Sequence, residues 1–184
     1  MLKFSRNEVE ATRPLPLAPG LWDLICSGRV YTNVGFKSSG RSNRAAMQVS
    51  ISFSPVQENS GIEIEDIEQQ MERGQTWLKY SIGEFSKFNG EGYDEKHVMN
   101  SVANFLNKVR KLVPEDRREA FDTFEWEGKQ VEGRGDEKDS TFLIIDFAPL
   151  GEFLIGSALN NVLVKESKGK DNVYSDIDLK SVRL

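Results

Sequence analysis

Ala46-Met-Gln-Val-Ser-Ile-Ser-Phe-Ser-Pro55 is the stretch of sequence that decides the fold. Apolar side chains at positions 47, 49, 51 and 53 alternate with polar side chains at 48, 50, 52 and 54. A period of two residues is that of a β-strand, whose successive side chains point to opposite faces. The stretch therefore predicts a strand with one face buried and the other face polar and open.

Further strands are predicted on both sides of this one. A first strand runs from Leu21 to about Tyr31, and the segment 33–44, rich in Gly, Ser and Asn, forms the long tip of a hairpin. Later runs of apolar or alternating residues predict strands over 77–82, 141–148, 153–164 and 173–182. Trp22, Trp77 and Trp126 have apolar neighbours, so we expect them in the core.

Three segments interrupt the strands. Residues 1–20, with Pro14, Pro16 and Pro19, predict an irregular arm. Residues 58–73 carry six carboxylates around four apolar residues and predict an acidic surface helix. Residues 95–112 place apolar side chains at steps of four and three, which predicts an amphipathic helix. The fold class expected is mainly β with inserted helices, in one domain over 1–184.

The composition is that of a folded protein. The 184 residues include 38% hydrophobic and 29% charged residues, with eleven Phe, three Trp and four Tyr. The one cysteine, Cys26, excludes an intrachain disulfide and a cysteine zinc cluster. The sequence shows neither a signal peptide nor a long apolar stretch, so we expect a cytoplasmic protein without a membrane segment.

Few residues suggest catalysis. The only histidine, His97, stands at the start of the predicted helix without a cysteine or nucleophile to join it. No phosphate-binding glycine motif occurs. Asp146 interrupts an apolar strand, and we expect it to be paired with polar groups and not to be a metal ligand. We therefore expect no enzymatic activity, no cofactor and no metal.

Cations and aromatic rings cluster near two predicted turns, although the net charge is −5. No acidic residue lies between Asp23 and Glu58. Single-strand binders combine cations that follow the phosphates with rings on which bases stack. The candidate residues are Arg29, Tyr31, Phe36, Lys37, Arg41 and Arg44 at the first hairpin, Lys79 and Tyr80 on the third strand, and Lys168, Lys170 and Tyr174 at the last turn. The alternative is that the rings belong to the core and the cations serve solubility.

The order of these elements resembles an oligonucleotide-binding (OB) fold, and more specifically the small bacteriophage single-stranded DNA-binding proteins. Four stretches carry the resemblance: Pro19-Gly-Leu-Trp-Asp-Leu-Ile25, Phe36-Lys-Ser-Ser-Gly-Arg41, Met47-Gln-Val-Ser-Ile-Ser-Phe53 and Lys168-Gly-Lys-Asp-Asn-Val-Tyr-Ser-Asp-Ile177. The resemblance implies a five-stranded antiparallel barrel that coats single-stranded DNA in replication or recombination, without catalysis, in the host cytoplasm. It also implies replication or recombination proteins as partners, and a homo-oligomer is compatible with it.

One departure from that resemblance concerns recruitment. Many such proteins end in an acidic tail that binds replication partners, whereas this sequence ends in Asp178-Leu-Lys-Ser-Val-Arg-Leu184. The acidic segment 58–73 is the alternative place for such a contact.

Two other functions remain open at this point. The first is a protein-binding module of a phage, such as a virion component or an inhibitor of host defence, with segment 58–73 as its contact surface. The second is a nuclease that holds a metal with carboxylates. Pairing of Arg41 and Arg44 with Glu63 or Glu65 would favour the protein-binding module, and cations beside an aromatic groove would favour DNA binding.

Overall fold

The computed structural model of the protein describes residues 14–39, 42–82, 95–133, 138 and 141–183, with 36–39, 42–45, 95 and 97 described by their backbone alone. The strands are β1 Leu15–Pro16, β2 Gly20–Ser39, β3 Ser42–Glu58, β4 Gly74–Ile82, β5 Gly128–Glu132, β6 Thr141–Ile145, β7 Ala158–Lys168 and β8 Val173–Ile177. The helices are α1 Ile67–Arg73, α2 Glu95–Arg110, α3 Arg118–Asp122 and α4 Leu150–Leu154, with 3₁₀ turns at Glu115–Arg117 and Leu179–Ser181. The fold is mainly β with inserted helices, as the sequence predicts.

Six strands form one mixed sheet in the order β1-β4-β3-β2-β7-β8, and β4 also pairs with β8. Strands β5 and β6 form a separate antiparallel pair. Strand β7 is antiparallel to β2 and β8, whereas β1 and β8 run parallel to β4. The expectation of a purely antiparallel arrangement was wrong, because a long connection between β4 and β7 lets β8 return in the direction of β4.

The described residues form two compact units, and strands β2, β3 and β4 contribute to both. The first unit comprises 14–27, Ser52–Leu78 and Ala158–Arg183. Its core consists of side chains from the inner faces of its strands, with Trp22, Phe53 and Leu78 fully buried. Burial of Trp22 confirms the prediction from its apolar neighbours. Whether residues 1–184 act as one domain stays a prediction.

The second unit comprises Gly28–Ile51 and Lys79–Ser157. Met47, Val49 and Ile51 are at most 1% exposed, which confirms the face predicted by their alternation. Helix α2 buries Val98, Val102, Phe105 and Val109, so the predicted amphipathic helix is confirmed, although it ends at Arg110 and continues as turns. Aromatic contacts continue the core, since Phe105 packs edge-on against Phe147 at 4.9 Å between ring centroids.

Several predicted element bounds were wrong. The strand expected over 153–164 begins at Ala158, because residues 150–154 form α4 and Gly156 follows it with a φ of 81°. The strand expected over 173–182 ends at Ile177. The acidic segment 58–73 is helical only from Ile67, after the end of β3. Strand β5 lies in a stretch for which the sequence predicts no strand.

The arm over 1–20 also departs from its prediction where the structure describes it. Leu15 and Pro16 pair with Gly74 and Gln75 as a short parallel strand. Leu17, only 2% exposed, donates its backbone amide to the carbonyl oxygen of Gln75 at 3.2 Å. A proline is tolerated on such an edge strand because it removes only a donor that the pairing does not use. Among the described helices, none has the length and apolar character to cross a membrane.

Candidate functional site

A cleft of about 240 Å³ lies in the first unit beside the turn between β7 and β8. We name it the turn cleft. Its aromatic walls are Trp77 and Tyr174. Its remaining lining residues are Pro14, Leu15, Pro16, Gln75, Asn172, Val173 and Ser175. Apolar walls with a few polar groups are typical of ligand-binding clefts.

The parallel pairing of β4 with β8 builds the floor of the turn cleft. Trp77 is paired with Asp176, and the Ser175 hydroxyl donates to the Thr76 hydroxyl at 2.8 Å in the interior. Because strand side chains alternate between faces, Thr76 and Ser175 point inward while Trp77, Tyr174 and Asp176 point outward. The exposure agrees, since Ser175 is 3% exposed and Tyr174 is 46% exposed.

The turn itself positions the Tyr174 ring. The Gly169 amide donates to the Asn172 carbonyl oxygen at 2.8 Å, which closes the turn. A Cβ atom on Gly169 would lie 2.7 Å from Cε2 of Tyr174, so the ring packs directly on the glycine backbone. The Asn172 side-chain amide lies 3.5 Å from the Tyr174 hydroxyl. Only glycine at position 169 allows this approach.

Lysines lie on and beside the turn that borders the turn cleft. Lys170 is exposed in the turn. Lys168, at the end of β7, pairs with Val173 and is therefore on the opposite face of the hairpin from Tyr174, where it lies 3.6 Å from Glu166 in an exposed ion pair. Lys165 is bound to Asp178 at 3.0 Å, and this hydrogen bond lowers the pKa of the Asp178 carboxyl. Exposed ion pairs of this kind contribute little to stability, so Lys168 can exchange its partner at low cost.

Gln70 of α1 holds the arm that forms one wall of the turn cleft. Its side-chain oxygen accepts from the Ala18 amide at 2.8 Å, and its nitrogen donates to the Pro16 carbonyl oxygen at 3.3 Å. The Trp22 indole donates to the Ala18 carbonyl oxygen at 2.9 Å. The sequence does not predict this role, because a glutamine among carboxylates carries no local signal of a contact 52 residues away.

The second unit presents a separate polar surface, which we name the polar strand face. Its residues are Arg29 and Tyr31 on β2, Gln48 and Ser50 on β3, and Lys79 on β4. Tyr31 is 57% exposed, and the Gln48 side chain lies across the backbone of Gly35. Three of the predicted site residues are thus exposed on this part of the sheet, Arg29 and Tyr31 on β2 and Lys79 on β4, with β3 between them.

Tyr80, which was also predicted as a site residue, does not lie on this surface. It lies on the opposite face of β4 from Lys79, with its ring edge-on to Phe105 at 5.4 Å. Burial raises the pKa of Tyr80 to about 12. Its hydroxyl has no hydrogen-bond partner among the described residues. Adjacent residues of a strand point to opposite faces, so Lys79 and Tyr80 cannot both contribute to one surface of β4.

Other predicted site residues lie outside what the structure describes. These are Arg41 and the side chains of Phe36, Lys37 and Arg44. The pairing of Arg41 and Arg44 with Glu63 or Glu65 therefore stays a prediction. The side chain of His97, for which no catalytic role was expected, also lies outside the described part of the chain. Lys168, Lys170 and Tyr174 belong to the first unit, with the turn cleft.

Trp77 belongs to the candidate site, although its apolar neighbours predict a place in the core. It is half-buried and lines the turn cleft. The alternation along β4 could have predicted this position. Trp77 and Gln75 point to the outer side of the strand, whereas Thr76 and Leu78 between and beside them are fully buried. Its apolar neighbours hid that alternation.

In the part of the chain that the structure describes, no group of three or more His, Cys, Asp and Glu side chains could hold a metal ion. Asp146 is paired as expected, since it accepts from the Ala148 amide at 3.0 Å and lies 3.5 Å from the Lys129 ammonium. Comparison of the chain with protein-family models, with curated proteins and with solved structures gave no match.

Proposed function

We propose that this protein binds single-stranded DNA without catalysis, on a five-stranded OB-type fold. Support comes first from the strand pairings, which run β2 to β3 to β4 to β8 to β7 and back to β2. A Greek-key OB barrel binds oligonucleotides on its second and third strands and on the loops beside them. In this chain the second and third strands of that cycle are β3 and β4, and the turn cleft lies on β4.

The observation that carries the proposal is the turn cleft itself. It offers the half-exposed rings of Trp77 and Tyr174 beside a turn with exposed Lys168 and Lys170. Stacking of a base on an aromatic ring contributes about 1–3 kcal/mol, and lysines add contacts to the phosphates. Rings and cations at one place are the two components that a single-strand binder needs.

The charge distribution also supports the proposal. The chain has a net charge of −5, yet segment 24–57 contains Arg29, Lys37, Arg41 and Arg44 without any acidic residue. Local positive charge is sufficient to attract the phosphates, and an acidic remainder suppresses non-specific association. The polar strand face, with exposed Arg29 and Tyr31, is a second place for contacts to DNA.

The biological setting follows from the resemblance to bacteriophage single-stranded DNA-binding proteins. On that basis we infer that the protein coats DNA during phage replication or recombination in the host cytoplasm. Proteins of the same machinery are then its partners. Self-association along the strand is compatible with this role.

Fluorescence anisotropy with a labelled mixed-sequence oligonucleotide of about 30 nucleotides tests the proposal at low and moderate salt. We expect tight binding that weakens with salt and falls in the Trp77→Ala and Tyr174→Ala variants. Phe124→Ala is the control, because Phe124 is 38% exposed but lies outside both candidate surfaces. Absence of binding at low salt would contradict the proposal, and cleavage of the oligonucleotide on addition of Mg²⁺ would favour the nuclease.

A protein-binding module of a phage is the second candidate. It is favoured by Ile62, Ile67 and Met71, which are 62%, 37% and 37% exposed within the acidic segment 58–73. Exposed apolar side chains among carboxylates suit a basic protein partner. This function predicts indifference to single-stranded DNA in the same anisotropy experiment.

A further inference from the structure

Asp176 stands beside Trp77 on the outer face of the sheet. The bridge between β4 and β8 pairs these two residues, and Tyr174 lies two positions earlier on the same face of β8. Asp176 is partly exposed, and its other cross-strand neighbour is Lys165 of β7. A base stacked on Trp77 would therefore meet a carboxylate along one of its edges.

A carboxylate discriminates between bases because it offers acceptors and no donor when ionised. Oδ1 of Asp176 is buried, so Oδ2 is the oxygen that would accept from a base. Each carboxylate oxygen offers about two acceptor positions, so a contact within the protein does not exhaust those of Oδ2. Cytosine and adenine present an exocyclic amine, which donates, whereas thymine presents a carbonyl oxygen at the corresponding position. An aspartate that accepts from the cytosine amine is a known mode of base recognition.

The Asp176 carboxylate also orients a bound DNA strand. Phosphates are repelled by Asp176 and attracted by Lys170, which is exposed in the turn that precedes Tyr174. The backbone of a bound strand then runs over the turn, and the base edge points toward Asp176. This orientation places the exocyclic group of the base next to the acceptor.

We propose that the turn cleft prefers bases with an exocyclic amine, cytosine and adenine, over thymine, and that Asp176 is the residue that reads the amine. The inference rests on the proposed function and gives the site a base preference that coating of DNA does not require. Trp77 supplies the stacking surface, and Asp176 supplies the selection.

Oligomers of deoxycytidine and thymidine test the preference best, because both bases are pyrimidines of similar size. Anisotropy at mildly alkaline pH, where cytosine is neutral, should show the cytidine oligomer bound about three- to tenfold more tightly, the value of one hydrogen bond. Asp176→Asn should bring the two affinities together, because an amide both donates and accepts. Asp171→Asn is the matched control: it removes the same charge from an exposed position in the turn, and the preference should persist.

The outcomes separate the two proposals. Equal affinity of the unaltered protein for both oligomers overturns the base preference and leaves DNA binding intact. Absence of binding to either oligomer overturns both. If Asp176→Asn does not fold, an oligomer of 2-pyrimidinone, which is cytosine without its amine, replaces the variant. This oligomer should bind as weakly as the thymidine oligomer, and binding as tight as that of cytidine would refute the role of the amine.

Discussion

The Ser175 hydroxyl donates a 2.8 Å hydrogen bond to the Thr76 hydroxyl, with both side chains almost fully buried. The two residues are 99 positions apart in sequence and lie on the parallel strands β4 and β8. Their bond fixes the register of these strands. Trp77 and Asp176, the next residues along, are thereby placed side by side on the outer face.

Removal of one member of this pair should destabilise the first unit. Ser175→Ala leaves the Thr76 hydroxyl buried without its donor, which costs about 1–3 kcal/mol. Urea unfolding should show that loss, and the double variant Thr76→Val with Ser175→Ala should lose less than the sum of the single variants. Ser81→Ala, at an exposed position of β4, is the control and should be neutral. Strict additivity of the pair would contradict the structure.

Gly169→Ala should weaken DNA binding by displacing the Tyr174 ring. A Cβ atom would lie 2.7 Å from Cε2 of the ring, which is closer than carbon atoms approach, so the ring must move. We expect affinity to fall toward that of Tyr174→Ala, a loss of about 1–3 kcal/mol if stacking is abolished. In the Tyr174→Ala background the same glycine substitution should have no further effect on anisotropy. An equal loss in both backgrounds would show that Gly169 acts by another route.

Gln70→Ala should loosen the arm that walls the turn cleft. The substitution removes the acceptor of the Ala18 amide and the donor to the Pro16 carbonyl oxygen. Hydrogen exchange at the Ala18 amide should become faster, and DNA affinity should fall by about 1 kcal/mol. Gln69→Ala, an exposed neighbour of the same residue type, is the matched control. Unchanged exchange at Ala18 would rule out the proposed clamp.

The salt dependence of DNA binding should report on the turn lysines. Each of Lys168→Ala and Lys170→Ala should reduce the slope of log affinity against log salt by about 0.7–1, because each removes one phosphate contact. Lys108→Ala, an exposed cation of α2, should leave the slope unchanged. If all three variants give the same slope as the parent protein, phosphates do not bind at the turn.

Tyr80 should make stability sensitive to alkaline pH. Burial raises its pKa to about 12, from the ordinary value of 10.0. The unfolded chain therefore loses the phenol proton first, and stability that is fully present below pH 10 is lost as pH rises toward 12. Urea unfolding of the Tyr80→Phe variant should lack this part of the decrease in the free energy of unfolding between pH 10 and about 12. A Tyr80→Phe variant with the same pH dependence as the parent protein would place the titration elsewhere.

Local periodicity was sufficient for much of the fold. The alternation over 46–55 predicted which side of β3 is buried, and the spacing over 95–112 predicted the buried face of α2. Both patterns depend only on where consecutive side chains point within one element. Short elements such as α4 were missed because neighbouring backbone determines them: a Cβ atom on Gly151 would lie 1.9 Å from the carbonyl oxygen of Gly28.

The sequence by itself determined a β-rich fold with inserted helices, and it identified Lys168, Lys170 and Tyr174 as residues of one turn. Only the tertiary structure decided that Trp77 lines a cleft with Tyr174, that Gln70 holds the arm, and that Asp176 stands beside Trp77. Those relationships join strands distant in sequence. Their register is set by packing and buried hydrogen bonds across the sheet, which no local pattern of residues encodes.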